Sequence, residues 1–243
     1  MDVPPGFRLV RFPVLDSTNE EGKRQAEAGA DGGLILWADT QTAGRGRRGR
    51  TWISPEGGLY FSLLLRPTCS PSVAAQLSFV SAIALADAVR PTLTQPDLLA
   101  LKWPNDVLID GKKIAGILLE SGTKTGTLDW LVVGVGLNIA AHPESADYPA
   151  TSLNAHASAA IRTVEILDDI VRAFEKWYQV WSLDGFEPVR TAWLQSARGL
   201  DQPIAVRLPK ETLHGVFRGL GPDGALRLEL PNEGERTIPA GDV

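Results

Sequence analysis

The chain has 243 residues and a mass of 26.2 kDa, with 44% apolar and 22% charged residues, enough apolar material for one or two packed domains. A disordered tail and a disulfide-stapled mini-protein are excluded, and a net charge of −5 argues against a protein built to grip a nucleic-acid backbone. Cys69 alone cannot form an internal disulfide, and His142, His156 and His214 are too scattered for a zinc site. The N-terminus, from Met1-Asp2, has no basic region leading into an apolar run, and no stretch approaches 18 uninterrupted apolar residues. The expectation is a cytoplasmic protein with no membrane partner and no nucleic-acid partner.

In chain order, Ser17-Thr18-Asn19 are cap-type residues that open a mostly polar helix running to Ala28. Leu34–Ala38 and Leu59–Leu65 read as strands, with a Gly/Arg-rich loop between them. Ser70-Pro71 starts a helix whose apolar residues Val73, Leu77, Val80, Ala84 and Ala88 keep helical spacing until Pro91. Leu98–Lys102, Asp106–Ile109, Lys113–Glu120 and Trp130–Ile139 are rich in Val, Ile and Leu and are separated by turn signals, among them Asp110-Gly111 and Lys124-Thr125-Gly126. Hairpins of this kind predict a mixed, largely antiparallel sheet. Thr163, read as an N-cap, opens a helix to Trp181 with one apolar stripe, and a second helix spans about Phe186–Ser196.

Beyond Gly199 the pattern changes to four short strands, Ile204–Leu208, Gly215–Leu220, Ala225–Leu230 and Arg236–Ile238, with turns at Pro209-Lys210, Gly221–Gly224 and Pro231-Asn232. This predicts an α+β domain over 1–196 and a small β-barrel over 197–243. The net charge of the barrel segment is −1, so it offers no basic surface.

The strongest chemical signal is Gly44-Arg45-Gly46-Arg47-Arg48-Gly49-Arg50, four arginines and three glycines within an acidic chain. Guanidinium forks bind carboxylate or phosphate, and glycines let the backbone approach a ligand closely. The spacing is not that of a P-loop. The reading is a loop that closes on an anion, its repelling cations mobile until the ligand orders them. Lys102-Trp103-Pro104-Asn105-Asp106 follows, and then Lys112-Lys113-Ile114-Ala115-Gly116. Alternation along Lys113, Ala115, Ile117 and Leu119 groups Lys113 with apolar residues and so aims its ammonium into a partly enclosed site, whereas Lys112 is read as solvated. Asp106 fits equally a hard oxygen ligand and a strand-start carboxylate. Gly116 marks a close approach or a bulge, and Gly134 and Gly136 are too weak a signal to name a nucleotide fold.

Together with Asp16-Ser17-Thr18-Asn19, Gln41–Trp52 and Val133-Gly134-Val135-Gly136-Leu137-Asn138, these motifs make the chain from about Phe12 onward resemble the biotin protein ligases, of the type with no helix-turn-helix domain before Phe12. That resemblance implies a mixed α/β catalytic domain like those of class II synthetases and an SH3-like C-terminal barrel. It implies biotin and ATP as substrates, Mg²⁺, a biotin carboxyl carrier protein as acceptor, and a homodimer. Ser17, Thr18, Asn19 and Gln41 are then expected around the ureido ring, and Gly44, Arg45, Gly46 and Arg47 around the carboxylate. Trp52 and Gly116 complete the biotin wall. Lys113 and Arg47 take the catalytic roles; Arg47, Arg50, Trp52, Asn105, Asp106, Lys113, Asn138 and Tyr148, the last within an adenosine loop Asp147–Leu153, meet ATP, with Asp106 on the metal. The rivals are a lipoate or fatty-acyl ligase and a non-catalytic anion- or RNA-binding protein.

Overall fold

The computed structural model describes residues 3–144, 148–231 and 233–243. Its elements begin with β1 (Arg8–Leu15), α1 (Thr18–Glu27), β2 (Leu34–Gln41), β3 (Leu59–Leu65), α2 (Pro71–Ala74) and α3 (Leu77–Val89). They continue with β4 (Leu99–Lys102), β5 (Asp106–Ile109), β6 (Lys112–Lys124), β7 (Thr127–Leu137), α4 (Thr163–Asp184) and α5 (Phe186–Gln195). Four strands end the chain: β8 (Pro203–Arg207), β9 (Thr212–Leu220), β10 (Leu226–Leu230) and β11 (Gly234–Ile238).

The first seven strands form one sheet in the order β1-β2-β3-β7-β6-β5-β4, in which β1 and β2 run parallel and every other neighbouring pair is antiparallel. Strand β1 goes unpredicted by sequence because Pro13 and two arginines blur its alternation. It lies at the sheet edge, where a proline is tolerated. The turns Asp110-Gly111 and Thr125-Gly126 carry positive φ at both central residues, the geometry that joins twisted strands by two-residue hairpins.

The two faces of this sheet are built differently. On one, Ile35, Trp37, Phe61, Leu63, Val133, Val135, Ala115 and Ile117 join the side chains of α3, α4 and α5 in one large apolar core. On the other, Leu34, Leu36, Leu64, Trp130 and Val132 pack on Ala26 of α1 in a smaller cluster, and the remaining area is left for a cleft. Helix α3 is buried almost all round, since α4 and α5 cover the side turned from the sheet. The segment Pro71–Thr92 is apolar and long enough to cross a membrane, yet most of it is enclosed by the core.

Two sequence expectations need correction here. The single helix predicted up to Pro91 is two, because i→i+3 bonds tighten the chain at Ala75-Gln76 and the Gln76 side chain bonds Pro222 and Trp181. The N-cap of α4 is Arg162 rather than Thr163, which is already helical.

The last four strands make an antiparallel meander, β11-β10-β9-β8. After β11 the chain turns back and Asp242 forms an antiparallel bridge with Arg207 on β8, which brings the end of the sheet onto its first strand. Phe217, Leu220, Leu226 and Leu228 belong to the same apolar core as Trp103 and Phe79. The Trp103 indole N–H donates to the carbonyl of Gly224 at 3.1 Å. Asn232 of the predicted turn lies outside the described residues.

Candidate active site

A cleft of about 240 Å³ opens on the sheet face that carries α1. Its floor is cleared of side chains at Gly116, Gly134 and Gly136. Gly116 and Gly136 are cross-strand partners, and a Cβ on Gly136 would stand 2.4 Å from the Trp52 indole, one on Gly116 3.0 Å from it, and one on Gly134 1.9 Å from Asn19 Oδ1. The Trp52 indole N–H is buried against the sheet and has no hydrogen-bond partner among the described residues.

One end of the cleft is neutral and polar. Ser17, Thr18 and Asn19 start α1 and are buried. Gln41 Oε1 accepts from Thr18 N (2.8 Å) and Thr18 Oγ1 (3.2 Å), and Gln41 Nε2 donates to Ser54 Oγ at 2.8 Å. Ser62 Oγ lies 2.8 Å from Thr18 Oγ1 and 2.7 Å from Asn19 Oδ1, its one proton serving one contact at a time. Asn19 Nδ2 donates to Glu120 Oε2 at 3.0 Å. Thr18, Asn19, Gln41 and Ser62 are each fixed by a neighbour, so this part of the end is preorganised, whereas Ser17 makes no side-chain cap bond.

The other end is cationic. Gly44–Trp52 folds into a small hairpin, closed by Trp52 N–H donating to Gly44 O (2.9 Å) and by an Arg45–Thr51 bridge. Arg48 takes a left-handed conformation, φ 55° and ψ 35°, at its tip. Arg45 ion-pairs with Glu20 and, at 3.2 Å, with Glu120. Arg47 Nη1 donates to Asn105 Oδ1 at 3.2 Å, and Asn105 Nδ2 donates to Ile117 O at 2.8 Å. Burial pushes the Arg47 guanidinium below its ordinary range, an effect that Asp242 partly opposes.

Lys113 enters this end by a route the alternation did not foresee. Ala115, Ile117 and Leu119 lie on the core face. A bulge at Ile114, between the pairs Val107–Ala115 and Leu108–Lys113, changes the phase and puts Lys113 beside Gly116 on the cleft face. The bulge is pinned by Lys113 N–H donating to Pro149 O (2.8 Å) and Thr151 N–H donating to Lys113 O (3.0 Å). Lys113 Nζ sits 2.7 Å from Asp106 Oδ1, 5.2 Å from the Trp52 ring centre and 4.8 Å from that of Tyr148. The Asp106 contact is an ion pair out of line for a hydrogen bond, so that buried oxygen receives no aligned donor.

The cleft therefore gathers Ser17, Thr18, Asn19, Gln41, Arg45, Gly46, Arg47, Arg50, Trp52, Asn105, Asp106, Lys113, Gly116 and Tyr148. Two expected contacts are not in its lining. Gly44 is structural, since a Cβ there would stand 2.3 Å from Trp52 O. Asn138 is buried behind the cleft, where its Nδ2 donates to Thr151 O at 3.1 Å and ties the 148–153 loop to β7. Asp147, the start of the expected adenosine loop, lies outside the described residues.

The lining extends beyond these residues. Lys102 of the Lys-Trp-Pro-Asn-Asp motif lines the cleft opposite Asp106 as a second amine beside Lys113, its ammonium pushed below the usual lysine range by burial, with Asp106 opposing. Counting by two from Gly116 reaches Leu118, which lines the cleft, and Glu120, which holds Asn19 and Arg45 from behind the lining. Arg207, Asp242 and Val243, supplied by the second sheet, left no local signal.

Residues 11–138 match the Biotin/lipoate A/B protein ligase family, and residues 199–243 match the Biotin protein ligase C terminal domain. The chain belongs to the biotin/lipoate protein ligase family, a family of enzymes. Among its relatives, Biotin--[acetyl-CoA-carboxylase] ligase of Paracoccus denitrificans is 41% identical over 94% of this chain and 96% of its own length. Bifunctional ligase/repressor BirA of Bacillus subtilis is 35% identical over 98% of this chain and 74% of its own. The solved biotin protein ligase from Aquifex aeolicus in complex with biotin and ATP superposes with a TM-score of 0.83 at 30% identity, covering 97% of each chain.

Proposed function

We propose that this chain activates biotin with ATP as biotinyl-5'-AMP, releasing pyrophosphate, and transfers the biotinyl group to one lysine of a biotin carboxyl carrier domain. The observation that carries this reading is the polarity of a single cleft: a neutral hydrogen-bonding end at Ser17, Thr18, Asn19 and Gln41, the last three fixed by neighbours, and 2.7 Å from Asp106 a lysine facing the arginine hairpin. The relatives named above support it.

A ureido ring offers two N–H donors and one acceptor, which suits the amide and hydroxyl groups at the neutral end. The carboxylate then lies toward Lys113 and Arg47. In the first step a carboxylate oxygen attacks the α-phosphorus and the bond to pyrophosphate breaks. Two anions are forced together, so positioned cations contribute most; Lys113 and Arg47 provide them from mostly buried positions and Arg50 from the rim. In the second step the carrier amine attacks the acyl carbon and AMP leaves; here orientation and exclusion of water matter, and the hairpin with Trp52 covers the acyl group. Tyr148 offers a wall for adenine beside Lys113.

Mg²⁺ fits the site in the mode typical of nucleotide enzymes, one carboxylate plus phosphates and water. Asp106, with a buried oxygen lacking an aligned donor, is the residue to hold it; no cluster of three His, Cys, Asp or Glu occurs among the described residues. When bound, the ion neutralises phosphate charge. The same reading takes 1–196 as the catalytic domain and 197–243 as the C-terminal domain, with a cytoplasmic location, a homodimer and no nucleic-acid partner.

The test is pyrophosphate release on mixing the protein with ATP, Mg²⁺ and biotin. Release that needs biotin, is not supported by lipoate and is lowered by several orders of magnitude in Lys113→Ala, with its melting temperature kept, supports the proposal. Equal release with lipoate, or release by Lys113→Ala at the wild-type rate, would falsify it.

A further inference from the structure

The hairpin arginines are held by carboxylates from three distant parts of the chain. Arg45 meets Glu20 of α1 and Glu120 of β6. The other three converge on Asp242: Arg47 Nη1 is 3.5 Å from Oδ1, while Arg48 Nη1 and Arg50 Nη2 are 3.1 and 2.8 Å from Oδ2. Arg47 Nη1 also donates to the carbonyl of Gly241 at 3.4 Å. The backbone of Asp242 is itself anchored, donating to and accepting from Arg207 at 3.2 and 2.8 Å. Gly241 is seated so closely that a Cβ would stand 2.8 Å from Val206 Cγ1 and 3.3 Å from the Trp103 ring. The carboxylate is thus presented from a fixed base.

Three guanidiniums within four residues repel one another, and Arg48 holds a backbone conformation that L residues rarely adopt. Both penalties require a compensating contact, and Asp242 touches all three side chains. One carboxylate against three cations leaves an excess of positive charge, so the cluster still attracts a polyanion.

We infer that Asp242 is a positioning residue for adenylation: it gathers Arg47, Arg48 and Arg50 before nucleotide arrives, so the triphosphate meets a preformed cation cluster. Through this one side chain the C-terminal sheet takes part in the first chemical step. Only the identity of the polyanion rests on the ligase reading proposed above; the ordering of the hairpin does not.

The experiment uses full-length Asp242→Asn and Asp242→Glu. Trypsin cuts after arginine, so limited digestion without ligand, followed by mass spectrometry, reports opening at Arg47, Arg48 and Arg50. Cleavage there is expected to rise about tenfold in Asp242→Asn, the loss of a charge-assisted contact, and to return toward wild type in Asp242→Glu. KM for ATP should rise about tenfold in Asp242→Asn while KM for biotin and the melting temperature hold within about twofold and about 2 °C. Unchanged cleavage overturns the inference. So does a lower KM for ATP, which would make Asp242 a competitor of phosphate, or an equal rise in both KM values with a lowered melting temperature, which would make it a general stabiliser. If wild-type protein releases no biotin-dependent pyrophosphate, the ligase reading has failed, and the digestion arm still decides the role of Asp242.

Discussion

The two faces of the seven-stranded sheet come from the same strands and do opposite work. Phe61, Val133 and Val135 point to one side and vanish into the core under α3 and α4; Ser62, Gly134 and Gly136, their immediate neighbours, point to the other and are small. A period of two residues thus delivers a rigid support and a cleared binding floor from a single stretch of chain. Stability and ligand fit should be separable, each lost by substitutions on its own face.

The largest effect is expected on the core face. Phe61→Ala removes a fully buried ring and should cost about 3–5 kcal/mol of stability, measured by denaturant unfolding, while the pyrophosphate release rate per folded molecule stays near wild type. A comparable loss of affinity for biotin would break the separation. On the cleft face, Gly136→Val keeps a backbone conformation open to any residue but drives a side chain into Trp52. Biotin affinity, by calorimetry, should fall about 10- to 100-fold, the usual range for overpacking, with a smaller stability change. Retained affinity would mean that the glycine floor is not what makes room for ligand.

The smallest effect sharpens the comparison at the rim. The Arg24 guanidinium beside Asp16 holds its carboxyl near about 2, below the ordinary 3.8. A depressed folded-state value means that the pair stabilises the fold above about pH 4 and that this is lost as pH falls toward 2. Both side chains are nearly half exposed, so solvent screening reduces the contribution to about 0.5 kcal/mol. Asp16→Asn should lose that amount at neutral pH and only a small fraction of it at pH 2, by urea unfolding; a loss of several kcal/mol would show α1 to depend on the pair far more than exposure allows.

Much of the fold was legible because its signals are local. Hairpin turns at Asp110-Gly111 and Thr125-Gly126, strand runs such as Leu59–Leu65 and the stripe of α4 can be read within a window of ten or twenty residues. The motif residues that line the cleft were legible through their spacing. Lys113 is instructive: its place in the cleft was anticipated, but by an alternation that would have sent it to the core face. The bulge at Ile114 decides otherwise, and a bulge is set by the partner strand and by the 149–151 segment. Asn138, which the motif suggested for nucleotide, is spent on a buried backbone carbonyl.

Composition, apolar period and motif order by themselves determined the α+β class, the antiparallel hairpins, the strand-rich tail and a cationic loop near a lysine and a carboxylate. Only the tertiary structure decided which face Lys113 occupies, which glycines form a floor, and that Arg47, Arg48 and Arg50 end on Asp242, up to 195 residues away. The physical reason is range. Propensity and periodicity act between residues a few positions apart, whereas ion pairs and excluded volume act between whatever atoms the packed chain brings within a few ångströms.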